Sequence, residues 1–97
     1  MINDLFSRAK IQASELNTKG FTVEIRMFKD GTFGDLERID VNSSKFGGEI
    51  EFWSSGYIDY HLLDYETGEE YINKTFEPSE IEKASDFLNY FFSFIVN

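Results

Sequence analysis

Apolar residues recur along this chain with two periods, and the changes of period mark its elements. Between Asn3 and Asn17, Leu5, Phe6, Ala9, Ala13 and Leu16, with Ile2 just ahead, fall at helical spacing, which predicts a helix over about 3–17. Asn3 or Asp4 suits its start and Lys19-Gly20 its end. The pattern then alternates. Phe21, Val23, Ile25 and Met27 take one face and Thr22, Glu24 and Arg26 the other, as in a half-buried strand over about 21–29. Asp30 to Asp35 holds two glycines and reads as a turn. Ile39 and Val41 share a face of a second strand over about 36–42, and residues 42–48 read as a loop. Three more strands are expected over about 48–53, 57–65 and 69–76. Glu77-Pro78 ends the strand pattern. Ser79 and Glu82 have capping-box spacing. Ile81, Ala84, Leu88, Phe91, Phe92 and Ile95, widened by Phe87, Tyr90 and Phe94, give a broad apolar stripe to a second helix over about 79–95.

This order predicts an α+β fold in one domain spanning residues 1–97. Tight turns imply an antiparallel sheet of about five strands, with an N-terminal and a C-terminal helix packed on one face. The opposite face is left to solvent or a partner.

Turn chemistry sharpens that opposite face. Ser54-Ser55-Gly56 suits a three-residue hairpin loop with Gly56 in a left-handed conformation. The loop pairs Trp53 with Tyr57, Phe52 with Ile58, Glu51 with Asp59, Ile50 with Tyr60 and Glu49 with His61. Ile50, Phe52, Ile58, Tyr60 and Leu62 then form a core face. Glu49, Glu51, Trp53, Tyr57, Asp59 and His61 form the outer face. A two-residue loop would slip the register and mix the two sets. Glu66-Thr67-Gly68 reads as a similar loop, setting Leu63 opposite Tyr71, His61 opposite Asn73 and Asp59 opposite Thr75. The outer face thus becomes an aromatic centre ringed by carboxylates, with Glu51 against Asp59 despite their like charge. Aromatic residues inside a charged surround are the anatomy of a protein-binding patch. The acidic edge at Asp64, Glu66, Glu69 and Glu70 extends it.

Charge changes the picture most. The 97 residues carry nine basic and eighteen acidic side chains, a formal charge of −9. Residues 1–48 hold seven of each sign, so the whole excess lies in residues 49–97. Such a surface repels phosphate backbones and attracts basic partners, which argues against nucleic-acid binding. With 41% hydrophobic residues and eleven Phe the chain is too apolar for disorder. It has no Cys, hence no disulfide framework, thiolate metal site or Cys nucleophile. No signal peptide or membrane-spanning run is evident, and a cytoplasmic chain, monomeric when free, is expected.

Catalytic patterns are weak. His61 is the only His, so a site of several imidazoles is excluded. Ser54 or Ser55 with His61 and Asp59 lacks any nucleophile motif. A pocket lined by Tyr60, His61 and Tyr71 would be the signature of a small enzyme or ligand-binding domain. The expectation is a non-enzymatic protein without metal or cofactor.

The run Ile50-Glu51-Phe52-Trp53-Ser54-Ser55-Gly56-Tyr57-Ile58-Asp59, followed by Leu62-Leu63-Asp64 and Glu66-Thr67-Gly68, resembles small bacterial immunity proteins of contact-dependent growth inhibition and related polymorphic toxin systems, of the Tri-Tu type. The resemblance is best over residues 49–76 and covers the helices in outline. It implies a cytoplasmic antitoxin without enzymatic activity that binds one cognate toxin domain and blocks its active site. The associated toxins are similar to nucleases acting on tRNA, some working with elongation factor Tu. An acidic inhibitor suits a basic nuclease cleft. The competing reading is an acidic protein-binding module, or nucleic-acid mimic, with a different partner.

Overall fold

The computed structural model describes residues 2–31 and 34–96. Met1, Asn97, Thr32 and Phe33 of the expected turn, and the side chain of Ile2 in the first apolar stripe lie outside the described residues. The helical stripe forms α1 (Ile2–Glu15), which tightens into a 3-10 turn over Leu16–Lys19. Gly20 ends it in the left-handed conformation, φ 88°, donating its N–H to Leu16 O. The strands are β1 (Thr22–Gly31), β2 (Gly34–Asn42), β3 (Phe46–Trp53), β4 (Ile58–Asp64) and β5 (Glu70–Phe76). They pair in sequence order as one antiparallel five-stranded sheet. A 3-10 turn over Pro78–Glu80 leads into α2 (Ile81–Val96). This is the predicted α+β fold.

One core fills the space between sheet and helices. Leu5, Phe6, Ala9 and Ala13 of α1, with Leu16 of the 3-10 turn, meet Ala84, Leu88, Phe91, Phe92 and Ile95 of α2 over Ile39, Val41, Ile50, Phe52, Ile58, Tyr60 and Leu62. Phe6 packs edge-on to Phe52 with centroids 5.1 Å apart. Tyr60 is fully buried against Phe76, Phe87 and Phe91, and its hydroxyl donates to Ala84 O at 2.7 Å. Burial pushes the ionisation of that hydroxyl well above its ordinary value.

Three expectations are corrected. Residues 46–48 are strand rather than loop, and the turn shrinks to residues 43–45. The two glycines that look like loop chemistry are sites of close approach. Tyr65 lies over Gly47, and a Cβ on Gly48 would come within 3.1–3.2 Å of Leu62, Val41 and Phe91. The capping interaction sits earlier than Ser79–Glu82: Glu77 N–H donates to Glu80 Oε1 at 3.0 Å, because the chain turns in at Pro78. Finally, Leu63 pairs with Glu70 rather than Tyr71. A bulge leaves Tyr71 as the extra residue and turns its ring to the helix layer, 5.4 Å from Phe94.

Candidate functional site

Register places the charged residues of four strands in two rows across the face away from the helices. One row runs Glu24, Asp40, Glu49, His61, Asn73; the next runs Arg26, Arg38, Glu51, Asp59, Thr75. The β3–β4 part is the expected one. Glu49 opposes His61, Glu51 opposes Asp59, and Trp53 N–H donates to Tyr57 O at 3.0 Å across the three-residue loop, where Gly56 has φ 104°. A Cβ on Gly56 would press on Pro78, a second reason for glycine there.

Sequence reasoning overlooked the β1–β2 part. Treating residues 42–48 as loop left the β2–β3 register undefined, although Arg38 and Asp40 stand out by parity against Ile39 and Val41. The result is an ionic chain. Arg26 reaches Glu24 at 2.8 Å and Asp40 at 3.2 Å; Arg38 Nε lies 3.1 Å from Asp40 and 3.6 Å from Glu49, with its guanidinium over the Phe28 ring. Glu24 holds Arg26 above its ordinary pKa. On β1–β2 the carboxylates are therefore balanced by guanidiniums. On β3–β4 the balance is weaker: Glu49 shares Arg38 with Asp40, and among the described residues the one ion pair of Glu51 is with His61 Nε2 at 3.7 Å. Partial burial, then the charges of Glu49 and Asp59, raise the pKa of Glu51, and His61 and Arg38 lower it less.

Asp59 answers its like-charged neighbour with hydrogen bonds. Its Oδ2 accepts from Trp53 Nε1–H at 3.1 Å and its Oδ1 from the Thr75 hydroxyl at 2.5 Å. The Trp53 ring is half-buried over the end of the β1–β2 hairpin, where a Cβ on Gly31 would lie 2.8 Å from Cζ3. Tyr57 is half-buried beside the loop.

A shallow groove of about 310 Å³ lies beside these rows, its lining including Asp40, Glu49, His61, Tyr65 and Glu70. Asp40 is buried there against Arg26 and Arg38, and Glu49 and Glu70 are the carboxylates of this concavity that suit a cationic side chain. Glu49, Glu51 and His61 also bring one donor atom each to within 4.8 Å of one another, a set able to hold a divalent cation.

The acidic edge divides. Glu66, Glu69 and Glu70 are exposed. Asp64 is not the surface carboxylate expected of it; it is 2% exposed. Its Oδ1 accepts from Glu66 N–H at 2.8 Å and Thr67 N–H at 3.3 Å, and its Oδ2 from the Tyr71 hydroxyl at 2.9 Å. The Tyr71 bond, above all, holds its pKa below the ordinary carboxylate value. Asp64 organises the β4–β5 turn.

The residues of the enzymatic alternatives are dispersed. Tyr60 is buried on the helix side and His61 lies on the other face, while Tyr71 stacks on Phe94. Ser54 Oγ accepts from Asp35 N–H at 2.9 Å and braces two hairpins together. Among the described residues no helix is long and apolar enough to cross a membrane.

No curated protein matches the chain. The model of the family described as "Immunity protein TriTu" matches residues 4–94, a span that takes in all five strands and most of both helices, and the chain belongs to that family of immunity proteins.

Proposed function

We propose that this chain is the antitoxin of one cognate toxin domain, and that the toxin docks a basic surface on the outer face of β3 and β4. The observation that carries this reading is the excess of carboxylate on that face: among the described residues Glu49, Glu51 and Asp59 share only Arg38 and His61 as nearby cationic partners, beside a groove whose lining includes Glu70. A nuclease needs cationic side chains along its cleft to hold phosphates, so its active cleft is the natural complement. Complementary fields accelerate encounter and select the partner. Trp53 and Tyr57 add contact area with little rotamer entropy to lose. Exposed Glu66, Glu69 and Glu70 extend the acidic field along the β4–β5 edge. The resemblance adds a toxin substrate, tRNA, and elongation factor Tu as a further member of the complex. In this reading the chain acts in the cytoplasm as a one-to-one inhibitor that occludes the toxin without chemistry of its own.

The test is inhibition of tRNA cleavage by the toxin domain encoded beside this chain, with and without elongation factor Tu. The wild-type chain should abolish cleavage. Glu49→Lys with Glu51→Lys should weaken inhibition by at least about tenfold while the far-UV spectrum stays unchanged, since buried interfacial charge pairs are worth several kcal/mol to truncation. Full inhibition by this folded double variant would place the interface elsewhere. A toxin that leaves tRNA intact would remove the substrate assignment and leave the antitoxin role standing.

A further inference from the structure

The two edges of the sheet are built differently. β5 is guarded. It carries the bulge at Tyr71, the charged Lys74 at a helix-side position, and Pro78 just beyond its end. These are the features by which proteins prevent edge-to-edge pairing. Between Thr22 and Phe28, β1 has no bulge, no proline and no charge on its helix side. Val23, Ile25 and Met27 stand there, and the helices leave Ile25 50% and Met27 67% exposed.

The backbone points the same way. The Ser43 N–H to Phe46 O bond sets the alternation of the meander, so Glu37, Ile39 and Val41 of β2 bond to β3, and Leu36, Arg38 and Asp40 bond to β1. Thr22, Glu24, Arg26 and Phe28 are their partners or next in line. Val23, Ile25 and Met27 therefore direct their peptide groups outward from the edge; Val23 packs partly on the core, and beyond it the described residues leave Ile25 and Met27 half or more exposed. Such a row is a template for another strand.

We propose that β1 pairs antiparallel with β1 of a second copy of this chain, with Ile25 opposite its own counterpart. Opposed residues must lie on one face, which limits where the two-fold axis can fall. An axis at Ile25 sets Val23 opposite Met27 on the apolar side and Glu24 opposite Arg26 on the charged side. An axis at Glu24 or Arg26 would oppose like charges, and one at Met27 would set Glu24 against Asp30. Charge also selects this edge over β5. Residues 1–48 are electrically balanced, so pairing through β1 holds the two acidic halves at opposite ends of a ten-stranded sheet. The outer face of β3–β4 stays open. This departs from the monomer expected from sequence.

Sedimentation equilibrium of the free full-length chain, from low to high micromolar concentration, tests it. The wild type should show a monomer–dimer equilibrium. Ile25→Lys sets two cations across the axis at a half-exposed position and should lower the association constant at least about tenfold. A wild type that is monomeric throughout overturns the proposal, as does an Ile25→Lys chain that dimerises equally. Cross-linking gives a readout independent of that variant's folding. The chain lacks cysteine, so Ile25→Cys introduces a single thiol. A hydrogen-bonded pair has Cα atoms about 5.5 Å apart, within disulfide range. Under mild oxidation Ile25→Cys should form a covalent dimer, and Met27→Cys, whose counterpart lies about 13 Å further along the strand, should not. Equal cross-linking of the two overturns the register and the proposal with it.

Discussion

Trp53 and Asp59 sit on adjacent strands six residues apart, and the indole N–H of the first donates to a carboxylate oxygen of the second at 3.1 Å. The only tryptophan therefore has two structural tasks: it covers Gly31 and it steadies a carboxylate that faces Glu51. Trp53→Phe keeps the cover and removes the donor, and should cost about 1 kcal/mol in chemical denaturation. Trp53→Ala removes both and should cost about 2–3 kcal/mol, less than a fully buried aromatic. Equal stability of the two variants would mean that the hydrogen bond contributes all of the effect.

Glu51 makes the opposite contribution. Its pKa is raised in the folded state, so between its ordinary value and that raised value the folded chain binds more protons than the unfolded one. Stability falls as pH rises through that window and stays lower above it. Glu51→Gln should melt at or above the wild-type temperature at neutral pH, and the difference should vanish as pH drops below the ordinary glutamate range. Thermal melts of both proteins across acidic and neutral buffers measure this directly.

Asp64 has the reverse sign. Its lowered pKa contributes stability that is present above its ordinary value and lost as pH falls through the folded-state value. Asp64→Ala should lower the melting temperature at neutral pH and flatten the acid side of the stability profile. Inhibition of the toxin by the folded variant should be unchanged, because the carboxylate is turned inward to Glu66, Thr67 and Tyr71.

The core offers a control. Phe52 is 4% exposed and Phe91 is fully buried against Tyr60 and Phe92. Phe52→Ala or Phe91→Ala should each cost about 3–5 kcal/mol. Urea titration followed by far-UV circular dichroism gives the value. A loss below about 1 kcal/mol in either would contradict the packing described.

Local pattern was enough, from sequence, for the α+β class, the helix positions and the β3–β4 register. Helical and strand periods reflect where the backbone repeats its side chains, and Gly56 with its two serines determines a hairpin locally. The pairs Glu49–His61 and Glu51–Asp59 needed nothing further. The family resemblance was likewise carried by that hairpin. Only the tertiary structure decided the rest, because each case depends on an approach from a distant segment. Gly47-Gly48 is strand and not loop since Tyr65 lies over one glycine and Phe91 against the other. Asp64 is buried since a bulge brings Tyr71 over it. Arg26 and Arg38 gather on Glu24 and Asp40, and Arg38 reaches Glu49 as well, because the short turn at 43–45 sets β2 beside β3; Glu51 and Asp59 lie further along and add to the carboxylate excess of β3–β4. Charge counted along the chain located the acidic half; the surface that carries it emerged only when the strands were laid side by side.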